Sequence, residues 1–214
     1  MEDNEILQVW KNYDRKLEEN LLLSRQNATA ITALKVQSFL ASMKPLKIFT
    51  IVAGVLWVGL LDVLIISLFH IASPFFLVSA ILLTVLNKLA IGIYLYQLIL
   101  LHQADITEPV LATQEKIARL KSSTLWVARL LFLQLPLWTT FYWNKSMLEN
   151  GSLGLFIIQA LVTGVFIFIA VWLFINISYR NRNKKWFGFI FNGKEWSPLM
   201  KSMEVLSQLE EYKK

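Results

Sequence analysis

Four long apolar runs dominate this chain of 214 residues. They cover residues 46–70, 74–101, 125–143 and 153–178. A helix needs roughly 20 residues to cross about 30 Å of hydrocarbon, and each run is about that long. The pattern predicts an all-α integral membrane protein, a four-helix bundle made of two transmembrane hairpins at residues 46–101 and 125–179.

The polar segments outside these runs are predicted to form amphipathic helices. Residues 4–43 contain no Gly or Pro and are rich in helix-forming residues. Pro45 is expected to interrupt this N-terminal helix, which belongs to residues 1–45, just before the first span. A second helix is predicted in residues 102–124, because Thr107 can cap it and Pro109 suits its first position.

That middle helix has no breaker between residues 110 and 135, so it is expected to continue into the third span. Pro136 should then kink this span. At the other end of the chain, residues 180–214 are predicted to form an interfacial segment followed by a C-terminal helix that starts near Ser197. Its apolar positions are Leu199, Met203, Leu206 and Leu209.

The distribution of Lys and Arg predicts the orientation in the membrane. Basic residues near the spans are Lys35, Lys44, Lys47, Lys116, Arg119, Lys121, Arg129, Arg180, Arg182, Lys184 and Lys185. All of them flank the same side, whereas the first opposite connection is uncharged and the second has Lys145 opposed by Glu149. Because basic flanks mark the cytoplasmic side, both termini and the middle segment are predicted to be cytoplasmic.

The formal net charge of +6 is concentrated at the exit from the fourth span. The residues expected to contact the lipid surface are Arg180, Arg182, Lys184, Lys185 and Trp186. Each basic residue there gains about 1 kcal/mol from anionic lipid, and aromatic rings suit the headgroup zone. This composition favours a membrane-surface anchor over nucleic-acid binding.

An apolar stripe follows one face of the N-terminal helix. Its residues are Ile6, Trp10, Tyr13, Leu17 and Leu21, at spacings of four, three, four and four. Two interpretations remain open. The stripe packs against other helices of this chain, as apolar stripes most often do, or it binds a separate soluble protein, for which Trp and Tyr are favoured anchors.

Two charges fall within predicted spans, Asp62 in the first and Lys88 in the second. A lone charge at such depth costs at least about 2.5–3.5 kcal/mol, which makes it a candidate for function. Counted from the hairpin turn, Asp62 lies about 16 Å and Lys88 about 21 Å along its helix, within reach of a lysine side chain. We expect an intramembrane ion pair inside the bundle, which is either a structural clamp or part of an ion path.

The sequence offers little chemistry. It contains no Cys and two His, which argues against disulfides, thiolate metal sites and histidine metal sites. No Ser-His-Asp or paired-carboxylate arrangement can be assembled within the spans. The chain is therefore predicted to be non-enzymatic and to need no cofactor or metal.

Three short motifs are residues 10–22 (WKNYDRKLEENLL), residues 105–121 (DITEPVLATQEKIARLK) and the later residues 135–138 (LPLW). Together they resemble a family of largely uncharacterised small four-span membrane proteins of Bacteroidota. Some members are encoded beside extracytoplasmic-function sigma factors. The resemblance implies the bacterial inner membrane and a sigma factor as a possible partner, and it supplies no catalytic residue.

These observations favour a non-enzymatic inner-membrane protein whose cytoplasmic helices bind a soluble or membrane partner, as an anti-sigma-like regulator does by sequestering a sigma factor. The alternative is a small transporter, channel or subunit of a membrane complex that uses the Asp62–Lys88 pair. A structural assembly factor differs from the first only in its partner. Homo-oligomers are compatible with each of these, and direct contact with nucleic acid is not expected.

Overall fold

The computed structural model describes residues 2–103, 110–143, 153–191, 193 and 196–213, and within these ranges the chain is helical with no strand. The helices are α1 (Glu2–Leu68), α2 (Pro74–His102), α3 (Val110–Leu133), α4 (Leu135–Thr140), α5 (Leu153–Asn176), α6 (Lys185–Phe191) and α7 (Trp196–Lys213), with a 3-10 turn at Tyr179–Asn181. Three of them, α1, α2 and α5, are long and apolar enough to cross a membrane. The predicted all-α class is confirmed.

Helix α1 is continuous for 67 residues, which corresponds to about 100 Å. Pro45 lies inside it, so the prediction that Pro45 interrupts the helix was wrong. A proline in a helix interior costs about 3 kcal/mol through a lost hydrogen bond and a clash with the preceding turn. Met43 and Lys47 on either side of Pro45 are fully buried against other helices, and this packing holds both flanks in one helix.

The third apolar run is divided between two helices. Helix α3 passes from the polar segment into the run without a break, as predicted, but it ends at Leu133. Helix α4 then starts at Leu135, after a turn in which the Gln134 N–H donates to the Leu131 carbonyl over 3.3 Å. Pro136 accounts for this interruption, because it has no N–H to donate to the carbonyl four residues earlier, while the backbone of Gln134 stays right-handed helical. The predicted caps Thr107 and Pro109 lie outside the described residues, as do Lys145 and Glu149.

One apolar cluster, here called the junction core, joins six helices. It consists of Val36, Leu40 and Met43 of α1, Leu101 of α2, Ile117, Leu120 and Leu125 of α3, Leu173 and Ile177 at the end of α5, Phe187 and Phe191 of α6, and Trp196 and Leu199 of α7. The part of α1 before Pro45 thus packs together with α3, α6 and α7 at one end of the apolar helices. The side chains of Leu206 and Leu209 lie outside the described residues.

The opposite end of the apolar helices is joined by hydrogen bonds between small polar groups. Ser79 and Thr140 hydroxyls lie 2.7 Å apart and connect α2 with α4, and Gln159 Nε2 donates to the Thr139 carbonyl over 2.8 Å. The turn between α1 and α2 is fixed by Ser73, which caps α2 and donates to the Trp143 carbonyl. Such bonds satisfy polar groups internally, which apolar surroundings require.

Candidate functional site: two uncovered surfaces of the long helix

The N-terminal part of α1 extends away from the rest of the molecule. Every side chain from residue 7 to residue 28 is exposed, and burial begins only where α7 and the junction core pack on α1, with Val36 the first buried side chain. Trp10, Tyr13, Leu17 and Leu21 are between 53% and 73% exposed. The side chain of Ile6 lies outside the described residues. The described side chains of this N-terminal stripe therefore do not pack against other helices of the chain.

The stripe borders a polar face of the same helix. Arg15 and Glu19 form an ion pair of 4.0 Å, which is exposed and contributes about 1 kcal/mol at most. A shallow groove runs along the helix and is lined by Val9, Trp10, Tyr13, Asp14 and Leu17. Leu22 and Leu23 are also exposed, but they point away from the stripe because each residue adds about 100° of rotation.

The structure brings the two predicted intramembrane charges together. Lys88 Nζ lies 3.0 Å from Asp62 Oδ2 and donates to Asp62 Oδ1 over 3.2 Å. The short α1–α2 turn sets the two helices antiparallel, so residues at equal distances from the turn become neighbours. In apolar surroundings each charge removes much of the other's cost.

The pair lies on the outer face of the hairpin rather than inside the bundle. The side chains of Lys88 and Asp62 are 56% and 42% exposed. Leu61 and Val58 are buried, and Asp62, one residue after Leu61, is turned about 100° from it toward the surface. The expectation of an enclosed pair was wrong for this reason.

Glycines flank the pair on both helices. A Cβ added at Gly59, one turn before Asp62, or at Gly92, one turn after Lys88, would meet no atom within 4 Å. Gly54 differs, because a Cβ there would lie 3.1 Å from Ile91 Cγ1, so Gly54 allows α1 and α2 to approach. Glycine in a helix costs about 1 kcal/mol relative to Ala. Packing within the chain accounts for Gly54 and not for Gly59 or Gly92.

The predicted lipid-surface residues separate into two groups. Arg180, Arg182, Lys184 and Lys185 are exposed. Trp186 is instead half-buried, its ring 5.1 Å from that of Trp172, and the neighbouring rings of Phe187 and Phe191 stack at 4.3 Å within the junction core. Trp186, Phe187 and Phe191 therefore pack against protein, whereas Phe189 of the same segment is 91% exposed. Composition alone did not distinguish these two kinds of ring.

Basic groups also meet around one tyrosine. Lys121 Nζ lies 3.9 Å and Arg182 Cζ 4.5 Å from the ring centre of Tyr179. Burial, and then the positive charge of Arg182, lower the pKa of Lys121. Arg129 is held nearby, where its Nε donates to the Ile177 carbonyl over 2.8 Å at the end of α5.

Sequence reasoning missed a polar group at the base of the apolar helices. Lys47, interpreted as a marker of orientation, is fully buried with its Nζ 4.5 Å from the ring centre of Tyr94. Its position four residues after Met43 and seven after Leu40 places it on the packed face of α1, and that spacing was the available signal. Gln97 on α2 is also fully buried, and its amide has no hydrogen-bond partner among the described residues.

A cavity of about 420 Å³ lies close to this group. Its walls are mostly apolar, with Tyr94 and Thr124 as polar members, and α6 and Trp196 close one side. No group of three or more His, Cys, Asp or Glu side chains that could hold a metal ion occurs in the described ranges.

Comparison with protein-family models, curated proteins and solved structures finds no match to this chain. The resemblance to the four-span proteins of Bacteroidota therefore stays a prediction.

Proposed function

We propose that this protein is a non-enzymatic membrane protein that binds a soluble partner through the N-terminal stripe of α1. In this proposal the chain crosses the bacterial inner membrane four times, and both termini and α3 lie in the cytoplasm. The sequence resemblance favours a sigma factor as the partner, and the chain would then act as an anti-sigma-like regulator.

The observation that carries the proposal is the uncovered apolar stripe on a free helix. In water, an isolated helix of this kind gains most of its stability from packing its apolar face. Trp10, Tyr13 and Leu17 offer large side chains to a groove on a partner, which is how amphipathic helices are commonly bound. Truncating such anchors at an interface commonly costs 2 kcal/mol or more, about thirtyfold in affinity.

Affinity purification of the full chain in mild detergent, followed by mass spectrometry, tests this. We expect a sigma factor to be recovered with the natural chain and lost with Trp10→Ala/Leu17→Ala. The matched control is Leu22→Ala/Leu23→Ala, which removes exposed apolar side chains of the same helix off the stripe. Equal recovery with all three chains would refute the proposal.

Transport is a second candidate function, favoured by the Asp62–Lys88 pair. Ion paths run between helices or along water-filled cavities, and here the pair lies on an outer face. Other polar groups within the apolar helices bond locally: Thr163 donates to the Gln159 carbonyl and Asn176 to that of Trp172. Ion flux into liposomes that is abolished by Asp62→Ala would favour transport over partner binding.

A further inference from the structure

The surface around the Asp62–Lys88 pair poses a physical problem if α1 and α2 lie in a bilayer. The two side chains are about half exposed, so lipid tails would contact an ionised carboxylate and an ammonium. Charged residues within membrane helices almost always face protein or water. Something other than hydrocarbon must therefore cover this face of the hairpin.

We propose that the α1–α2 face bearing Asp62, Lys88, Gly59 and Gly92 is the interface of a homodimer, whose two copies are related by a two-fold axis along the membrane normal. This inference depends on the hairpin crossing the membrane and not on the N-terminal stripe.

The charges of this face are self-complementary. Asp62 is on α1 and Lys88 on α2, side by side at one depth. A two-fold axis within the interface places α1 of each copy opposite α2 of the other. Asp62 of each copy then faces Lys88 of its partner at the same depth, and four alternating charges close a ring that excludes lipid.

The glycines fit the same axis. Chain direction reverses between the helices, so Gly59, before Asp62, and Gly92, after Lys88, lie on the same side of the pair. The axis brings Gly59 of each copy toward Gly92 of the other. Both positions are open to added atoms, and small residues of this kind let membrane helices approach closely.

The first test uses the absence of cysteine from the chain. Ile66 lies one turn after Asp62 on the same side and is exposed, whereas Leu60 is exposed about 200° away. Because the axis sets α1 of each copy opposite α2 of the other, the matching position on α2 is Val85, which is exposed one turn before Lys88. We expect Ile66→Cys in one tagged copy and Val85→Cys in the other to form a mixed disulfide in native membranes treated with copper phenanthroline. The pair Leu60→Cys and Val85→Cys should form several-fold less. Equal crosslinking of both pairs, or none of either, would overturn the dimer.

A second test reads the charges directly. Asp62→Lys carries two positive charges on this face and Lys88→Asp two negative ones, so each variant repels its own copy. Co-expressed with different tags, the two variants should co-purify several-fold more than either variant does with itself. The reciprocal chain Asp62→Lys/Lys88→Asp keeps both pairings and should dimerise like the natural chain.

Equal co-purification of all combinations would assign the pair to a clamp within one chain. Capture of a different membrane protein at Ile66→Cys, in place of a second copy, would also overturn the proposal. Crosslinking of Ile66→Cys to Val85→Cys should persist when Trp10→Ala/Leu17→Ala is added. The dimer and the partner-binding proposal can therefore fail independently.

Discussion

The two uncovered surfaces of α1 show how the solvent decides what exposure means. At the N-terminal stripe the exposed charges are ordinary and the exposed rings of Trp10 and Tyr13 are the anomaly, if that half of the helix lies in water. Along the apolar half the reverse holds: exposed Leu and Val side chains suit lipid, and the exposed Asp62–Lys88 pair is the anomaly. One helix thus carries two proposed interaction surfaces that are recognised by opposite criteria.

The two surfaces are separated by the stretch of α1 that packs in the junction core. The stability of the protein should be most sensitive to substitutions in this stretch of the helix. Leu40 is buried there, whereas Leu34 is exposed two turns before it. We expect Leu40→Ala to lower the free energy of unfolding by about 2–5 kcal/mol through the cavity it leaves. Leu34→Ala should change it by about 0.5 kcal/mol or less. Chemical unfolding in detergent measures both, and similar losses would place the boundary elsewhere.

Identical substitutions on the two halves test the comparison itself. Leu21 and Leu60 are 53% and 51% exposed, so the folded chain covers the two side chains to the same extent. Leu60→Lys should impair membrane insertion by about 2.5–3.5 kcal/mol, because a lysine at a helix centre is costly in hydrocarbon. Leu21→Lys should insert normally while weakening partner recovery. Resistance of the chain to alkaline extraction from membranes gives the readout. Equal insertion of the two variants would mean that both halves of α1 meet the same solvent.

The smallest effect concerns pH at the edge of the packed region. Lys121 has a pKa below its ordinary 10.5, first through burial and then through Arg182. The folded chain therefore holds fewer protons than the unfolded chain between the lowered value and 10.5, and this residue adds stability as pH rises through that window. Melting temperatures of the natural chain and Lys121→Gln, measured from pH 8 to 10.5, should converge or cross in favour of the natural chain. A difference that is constant with pH would contradict this origin.

Several features followed from sequence because they depend on distances along the chain. Apolar run length identified the helices α1, α2 and α5 that are able to cross a membrane. Helix rise and a short turn were enough to predict that Asp62 and Lys88 meet. The spacing of Trp10, Tyr13 and Leu17 predicted an apolar stripe. It did not predict whether another part of the chain covers that stripe.

Other features depended on the packing of helices against one another, which spacing along one helix does not specify. Pro45 remains in a continuous helix because its neighbours Met43 and Lys47 are buried by other helices. The rotation of α1 about its axis that buries Leu61 and Val58 places Asp62 on the outer face. The sequence by itself determined the lengths of the apolar runs, the helical class and the positions of the two charges along their helices, since these need only the geometry of one helix. The tertiary structure decided which faces are covered, since a neighbouring helix adds or removes the surface that a side chain presents to its solvent.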